Sequence, residues 1–264
     1  MVPNTPSIAM QTGTWTFRIG QVTFGMGAGN ELTHEPVDGP LRIAIVARHA
    51  DLAAQAMLDI VVSVHPSSGL DAASAQNDPV ITKALDNVEG ALGPVGVTVR
   101  SVTYQDTTAD IQQPLDLGVS CLGGDAPLVF DRAPGTGDAL NLVLIGEFAC
   151  KVGNTDVGQA LAGVSNGIPG LPFAQRDGVL AATALKDMFP DEWALVVAHE
   201  AAHHLGLFHT QEGNLQVFDN IADTDDGDPT LYLMYSNVSE IDGSLLVTPD
   251  QGSVVKRHPL ARGK

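Results

Sequence analysis

Long apolar runs, basic side chains and cysteines are all scarce in this chain of 264 residues. No apolar stretch reaches the roughly 18–20 residues that cross a bilayer, so we expect no membrane-spanning helix and no membrane partner. Acidic side chains outnumber basic ones by 31 to 13, which gives a formal net charge of −18. Such a surface repels nucleic acid, so nucleic acid is not an expected partner either. Solubility accounts for the charge; calcium binding or a saline habitat are the alternatives.

The two cysteines leave the redox compartment open. Cys121 and Cys150 do not form a Cys-x-x-Cys motif and do not lie beside a histidine cluster, so they are not expected to bind metal. A disulfide between them is one interpretation, and two buried free thiols are the other. The first ten residues lack the basic and then apolar layout of a signal peptide. We expect a secreted, monomeric protein whose leader is absent from this sequence, with an intracellular protein as the alternative.

The chain has enough apolar residues, 44%, to form a core, and only 17% are charged. Residues 1–57 are predicted to be a β-rich extension or the remnant of a pro-segment. They contain an alternating stretch at Thr14–Phe24, an apolar strand at 41–46 and a short helix at 50–57. Residues 58–264 are predicted to form the main domain.

The main domain mixes strand and helix patterns. Apolar or alternating runs predict strands at 58–64, 97–104, 140–148 and 178–183. Residues 107–139, rich in Asp, Gly and Pro, are expected to form a long surface excursion, and residues 161–172 an edge strand with its turn. One helix is predicted from Asn77-Asp78-Pro79 to Leu92, and a second from Pro190 to Gly206. This order favours an α/β or α+β fold.

The second helix carries the chemistry of the chain, in the segment His199-Glu-Ala-Ala-His-His-Leu-Gly-Leu-Phe-His209. Residues four apart share a helix face, so His199 and His203 can bind one ion. A glycine at 206 allows the chain to turn back and present His209 as a third ligand. Three nitrogen ligands with one open position are typical of catalytic zinc, so Zn²⁺ is the expected cofactor. Glu200 lies beside the ligands and is expected to act on water as a general base.

Chance is the alternative explanation of this pattern. A bare His-Glu-x-x-His occurs in unrelated chains, but the added glycine and third histidine reduce an accidental match to odds on the order of one in ten thousand. His204 points away from the ligand face in the predicted helix. We expect it at the surface or in a supporting contact beside the ligands.

The extended zinc motif resembles the signature of the metzincin clan of zinc peptidases. That clan has a methionine in a tight turn below the metal, and Met234 in Tyr232-Leu-Met-Tyr-Ser236 matches it, although alone it would be interpreted as core. The resemblance implies a zinc-dependent endopeptidase with a mixed five-stranded sheet and two long helices. It also implies a cleft between an upper subdomain and a smaller C-terminal one. A protein or peptide substrate would extend along an edge segment, here Gly163, Val164, Ser165 and Asn166.

Finer details resemble the pappalysin and cytophagalysin group within that clan. They lie at residues 163–170, 206–210, 219–224 and 247–251. The chain also departs from clan patterns: Ser236 stands where some members place a tyrosine ligand, and Ala202 replaces a usual glycine. No Pro-Arg-Cys-Gly switch is present, so cysteine-based latency is not expected.

Two further possibilities remain open from the sequence. A catalytically silent zinc module that binds protein or glycan would carry the same ligands, and a zinc hydrolase of non-peptide amides is a third class. The acidic run around Asp219, Asp223 and Asp225 could hold Ca²⁺, although its spacing is not that of an EF-hand. A solvated acidic loop is the alternative.

Overall fold

The computed structural model describes residues 22–26, 32–36, 55–107, 110–119, 121, 124–132, 138–170, 178–211, 219, 221–224 and 228–263. The strands in these ranges are β1 Val22–Met26, β2 Leu32–Pro36, β3 Ala56–Val64, β4 Val97–Asp106, β5 Leu115–Val119, β6 Leu140–Ile145, β7 Phe148–Val152, β8 Thr155–Asp156, β9 Gly163–Ser165, β10 Val179–Ala182 and β11 Arg262–Gly263. The α-helices are α1 Ala72–Gln76, α2 Pro79–Leu92, α3 Ala126–Arg132, α4 Pro190–His204 and α5 Pro249–Lys256.

The largest sheet is mixed, which confirms the predicted combination of strands and helices in a mixed α/β fold. Its strands lie in the order β4-β3-β6-β10-β9. The first four are parallel, and β9 runs antiparallel to β10 at one edge. The two residues of β11 pair with Ala56 and Met57 at the start of β3. The described sheet therefore has six strands, where the resemblance implied five.

Helix α2 begins where its sequence predicts. The Asp78 side chain accepts hydrogen bonds from the backbone N–H groups of Val80 (2.8 Å) and Ile81 (3.1 Å), and Pro79 occupies the first helical position. Its buried residues recur at helical spacing: Ile81, Ala84, Val88, Ala91 and Leu92. This apolar face packs α2 against α4 in the core.

Helix α4 is anchored to the sheet at its start and turns sharply at its end. The indole N–H of buried Trp193 donates to the carbonyl of Ala182, 2.7 Å away, at the end of β10. After His204 the chain leaves the helix, and Gly206 takes a positive φ of 107°. Glycine tolerates this conformation without a side-chain clash, so the chain can turn back toward the helix.

The central strands are buried on both faces. In β6, Leu140, Leu142 and Leu144 belong to the core that contains α2 and α4, whereas Val143 and Ile145 belong to a second core. A strand that is covered on both faces has a continuous apolar sequence and not an alternating one, and β6 follows this rule.

The second core corrects one prediction. Residues 107–139 were expected to form a surface excursion, but their described part contains β5 and α3. Side chains from both elements are buried against β6 and β10: Leu115, Leu117, Ala126, Val129 and Phe130. The apolar residues that pack there are interspersed with Asp, Gly and Pro, so the sequence shows no regular strand or helix pattern. The predicted disulfide between Cys121 and Cys150 is present and joins this region to β7.

The predicted N-terminal extension is described only at β1 and β2, which pair antiparallel as a hairpin. The predicted strand at 41–46 lies outside the described residues, as does most of the stretch at Thr14–Phe24. Ala56 and Met57 belong to β3 and not to a helix, so the sheet begins inside the predicted extension. Within the described ranges, no helix is both long enough and apolar enough to span a membrane.

Candidate metal centre

Three imidazole rings converge at the end of α4. The Nε2 atom of His209 lies 3.2 Å from Nε2 of His199 and 3.1 Å from Nε2 of His203. His199 and His203 are buried, and His209 is partly exposed. Among the described residues, these three form the one group of potential metal ligands whose donor atoms lie within 4.8 Å of one another. The turn at Gly206 brings His209 back to the two helical histidines.

Backbone carbonyls set the tautomers of the two buried rings. Nδ1 of His199 lies 2.7 Å from the carbonyl oxygen of Leu233, and Nδ1 of His203 lies 2.7 Å from that of Leu207. A carbonyl can only accept, so each Nδ1 carries the proton and donates it. Each Nε2 is then left with its lone pair directed at the common point, as metal-binding histidines require.

The distances and charge states fit a zinc ion. With zinc–nitrogen bonds of roughly 2.0–2.1 Å, tetrahedral ligands lie roughly 3.3 Å apart, close to the observed spacing. Burial lowers the pKa of His199 to about 4, and burial together with the neighbouring imidazoles lowers that of His203 well below its usual value. Both rings are therefore neutral at physiological pH, the state that binds a metal.

Glu200 lies beside the triad and does not belong to it. Its Oε2 accepts a hydrogen bond of 2.6 Å from the backbone N–H of Ser165 in β9. Burial raises the pKa of the Glu200 carboxyl to about 7, and the Ser165 hydrogen bond opposes that shift only in part. The residue keeps partial contact with solvent. A carboxyl with a pKa near neutrality can both accept and release a proton.

The predicted substrate segment is the described edge strand. Gly163, Val164 and Ser165 pair with β10, and Asn166 follows with its N–H bonded to the Gly178 carbonyl at 3.2 Å. The N–H of Ala182 donates to the carbonyl of residue 162, so the pairing bonds fall on even-numbered residues of this segment. In antiparallel pairs the alternate residues direct their backbone groups away from the partner. The backbone N–H and C=O groups of Gly163 and Ser165 therefore point away from β10, on the side where the Ser165 N–H donates to Glu200.

Met234 is fully buried in the core that packs below α4. Its carbonyl accepts a hydrogen bond of 2.9 Å from the N–H of Thr210, the residue after His209. The preceding carbonyl, from Leu233, accepts from His199. The segment around Met234 therefore supports two of the three histidines through its backbone. Tyr235 directs its hydroxyl to Glu240, 3.4 Å away.

The predicted calcium ligands do not form a site in the described part of the chain. Both carboxylate oxygens of Asp223 accept hydrogen bonds at the start of α5, from Thr248 Oγ1 (2.6 Å) and the N–H of Asp250 (3.0 Å). Asp219 accepts from Thr224 Oγ1 at 2.6 Å. Asp225 lies outside the described residues. The structure gives the calcium prediction no support, because Asp223 holds a helix end and Asp219 bonds within its own turn.

Several supporting groups were not predictable from residue type. The carbonyls of Leu207 and Leu233 and the N–H of Ser165 are backbone atoms, which carry no sequence signal. His204 was expected at the surface or beside the ligands, and it is fully buried behind the triad, with His258 5.6 Å away between ring centroids. The surface alternative for His204 is wrong, because Gly170 and His258 cover its ring.

No family model and no curated protein matches this sequence. Among solved structures the chain is similar to metalloproteinase-II from Bacteroides fragilis, at 16% identity and a TM-score of 0.45, over 83% of this chain and 60% of that one. It is also similar to archaemetzincin from Methanopyrus kandleri, at 12% identity and a TM-score of 0.43, over 81% and 98% of the two chains. The chain thus spans less than two thirds of the Bacteroides protein. Because both scores are below 0.5, the chemistry of the site must be judged from its own side chains.

Proposed function

We propose that this chain is a zinc-dependent endopeptidase. The observation that carries the proposal is the convergence of three Nε2 atoms with Glu200 beside them, one residue along the helix from His199. His199, His203 and His209 would hold the ion, and a fourth position would remain open to water and substrate. The site would supply Lewis acidity that activates a water molecule and polarises a peptide carbonyl.

Glu200 would move the protons in this reaction. Its carboxylate would accept a proton from the attacking water, and its raised pKa supports donation of that proton to the leaving amine. During proton transfer its hydrogen bond to the N–H of Ser165 must weaken, because a neutral carboxyl is a poorer acceptor than a carboxylate. The base and the edge strand are therefore coupled.

The substrate would bind as an extended chain along β9. The outward-facing N–H and carbonyl of Gly163 and the carbonyl of Ser165 offer a strand edge to an incoming peptide, while the Ser165 N–H is bonded to Glu200. Main-chain pairing recognises a peptide in extended conformation and requires no particular side chain, which favours protein or peptide substrates over small amides. The Cys121–Cys150 disulfide supports a location in an oxidising compartment such as the extracellular space.

The test is digestion of casein and of a broad peptide library by zinc-loaded protein and by the Glu200→Gln variant. Glu200→Gln should keep about one zinc per chain and lose at least ~10²-fold in rate, the usual contribution of a positioned general base. Glu192→Gln is the matched control, since Glu192 lies exposed in the first turn of the same helix. It should cleave as the unchanged protein does.

Two results would count against this function. A zinc-loaded protein that cleaves nothing in a broad library would favour a silent binding module. Equal cleavage by the protein and its Glu200→Gln variant would remove Glu200 from the mechanism.

A further inference from the structure

We propose that His204, together with Gly170 and His258, is a positioning device that holds the substrate edge strand to the metal-binding helix. The proposal rests on the proposed function for its consequence on substrate binding, and on contacts in the structure for the positioning itself. These three residues are called the histidine–glycine clamp below.

The clamp begins with the close approach of Gly170 to His204. The backbone N–H of Gly170 donates a hydrogen bond of 2.8 Å to the carbonyl of His204, the last residue of α4. The ring of the same histidine lies against Gly170, and a Cβ atom added at Gly170 would overlap the imidazole at Cε1 and Nδ1. Only glycine permits this approach of backbone to ring.

His258 closes the clamp from the C-terminal part of the chain. Its Nδ1 accepts from the N–H of Leu260 at 3.3 Å, so Nε2 carries the proton and donates to the carbonyl of Gly170 at 3.1 Å. His204 and His258 are both fully buried. Gly170 is thus held through its N–H by α4 and through its carbonyl by the segment that follows α5.

The clamp acts on β9 because Gly170 lies only five residues beyond Ser165. The strand segment is consequently attached to one helix at two points: Ser165 to the Glu200 side chain and Gly170 to the His204 carbonyl. Positions four apart on an α-helix are separated by about 6 Å along its axis. The two attachments therefore fix the position of the strand edge along the axis of α4 and also its direction. The His204 ring also has a polar interaction with the backbone of Gly178, outside close hydrogen-bond geometry, just before β10.

The two attachments differ in their relation to the reaction. The one at Glu200 is made by a side chain that takes part in the proposed reaction. The one at His204 involves a backbone carbonyl and a buried ring that take no part in proton transfer. The clamp therefore keeps β9 aligned with the triad throughout the proposed reaction. This role makes His204 a positioning residue.

The experiment compares Gly170→Ala and His258→Phe with the unchanged protein, by hydrogen–deuterium exchange and by peptide kinetics. His258→Phe keeps a ring of similar size and removes the hydrogen bond to Gly170. Gly90→Ala is the matched control, because a Cβ at Gly90 meets nothing within 4 Å. In both clamp variants we expect amide exchange in β9 and Asn166 to rise at least ~10-fold, with exchange in α2 and zinc content unchanged. For cleaved peptides, KM should rise at least ~10-fold with kcat within roughly threefold.

Unchanged exchange in β9 in folded variants would overturn the proposal, and so would a uniform increase that includes α2. Loss of zinc in step with the change would also overturn it, since the clamp would then support the ligands and not the strand. A protein that cleaves no peptide would refute the proposed function alone, because the exchange comparison still decides the positioning role.

Discussion

His199 and Leu233 lie 34 positions apart in the chain and are joined by a hydrogen bond of 2.7 Å between Nδ1 and the carbonyl oxygen. This bond fixes the side chain of a candidate metal ligand to the segment that contains Met234. The next carbonyl along, from Met234, binds the N–H of Thr210 beside His209. One short backbone segment thus orients ligands from both sides of the turn at Gly206.

Metal removal should lower the thermal stability of the protein. An ion that binds only the folded chain stabilises it by mass action, by about 2.7 kcal/mol when its free concentration is 100 times Kd. A chelator should therefore lower Tm, and added zinc should restore it. His203→Ala should have the lower Tm without any chelator and should not respond to zinc. His65→Gln is the control, because His65 lies outside the triad; a zinc response lost there as well would contradict the assignment of ligands.

Substitution of Met234 should separate packing from chemistry. Met234 is fully buried, so Met234→Ala should cost about 2–5 kcal/mol of unfolding free energy through the cavity it leaves. Met234→Leu nearly conserves volume and should cost less than about 1.5 kcal/mol. Because the segment supports the histidines through its carbonyls, Met234→Leu should retain zinc. Urea unfolding and elemental analysis measure both quantities, and loss of zinc from a stable Met234→Leu variant would assign a direct role to the sulfur-containing side chain.

Removal of the Asp223 carboxylate should destabilise α5 independently of calcium. Asp223→Ala deletes hydrogen bonds to Thr248 and to the N–H of Asp250 in the first turn of that helix. The expected cost is about 1–2 kcal/mol, the usual size of a capping contribution. Thermal unfolding of the variant should show the same loss with and without added calcium. A loss of stability that is seen only when calcium is present would instead indicate that Asp223 binds calcium.

The buried ion pair of Asp78 and Lys186 should make stability depend on acid. Their side chains are 12% and 6% exposed, and Lys186 Nζ lies 2.7 Å from the carboxylate. Burial alone would raise the pKa of Asp78, but hydrogen bonds from Lys186 and from the start of α2 outweigh it and leave the pKa lowered. The folded protein thus gains stability above the unfolded pKa of aspartate, about 4, and loses it as pH falls through the lower folded value.

Asp78→Asn tests this pair. It leaves Lys186 with the exposed carboxylate of Asp187 as its remaining charged partner, and the lost charged hydrogen bond should cost about 1.5–3 kcal/mol near neutral pH. The difference in unfolding free energy between the two proteins should shrink as pH falls below about 4, because the unchanged protein then loses the charge as well. Urea unfolding at a series of pH values measures it, with Asp86→Asn, at an exposed position of α2, as the control. A difference that stays constant with pH would rule out the charge as the cause.

The disulfide should stabilise the second core. Cys121 and Cys150 close a loop with a sequence separation of 29, and a loop of that length is expected to contribute about 3–4 kcal/mol. A variant with Cys121→Ala and Cys150→Ala should lose about that amount in urea unfolding. Alanine suits the site because Cys150 is buried. Zinc binding should persist, since the triad lies in the other core; equal stability of variant and parent, in the oxidised state, would contradict this account.

Local patterns in the sequence were enough to predict α2, α4 and the central strands. Asp78, Pro79 and Gly93 mark the ends of α2 because capping and proline effects act within a few residues. The same kind of pattern did not predict β5 and α3 within residues 107–139. Their apolar residues are spread among Asp, Gly and Pro, and only the packing of β5 and α3 against β6 shows that they form a core.

The sequence by itself determined which side chains can bind metal, because helix periodicity places His199 and His203 on one face and a glycine at 206 permits a turn. The tertiary structure decided how those side chains are held. The proton position on His199 depends on a carbonyl 34 residues away. Glu200 accepts a hydrogen bond from an N–H in β9, which no pattern of side chains in the sequence predicts. It also decided that Asp223 bonds to the start of α5 and that His204 lies buried against Gly170. These outcomes depend on long-range contacts, in which backbone groups far apart in the chain are brought together only when the sheet and helices pack.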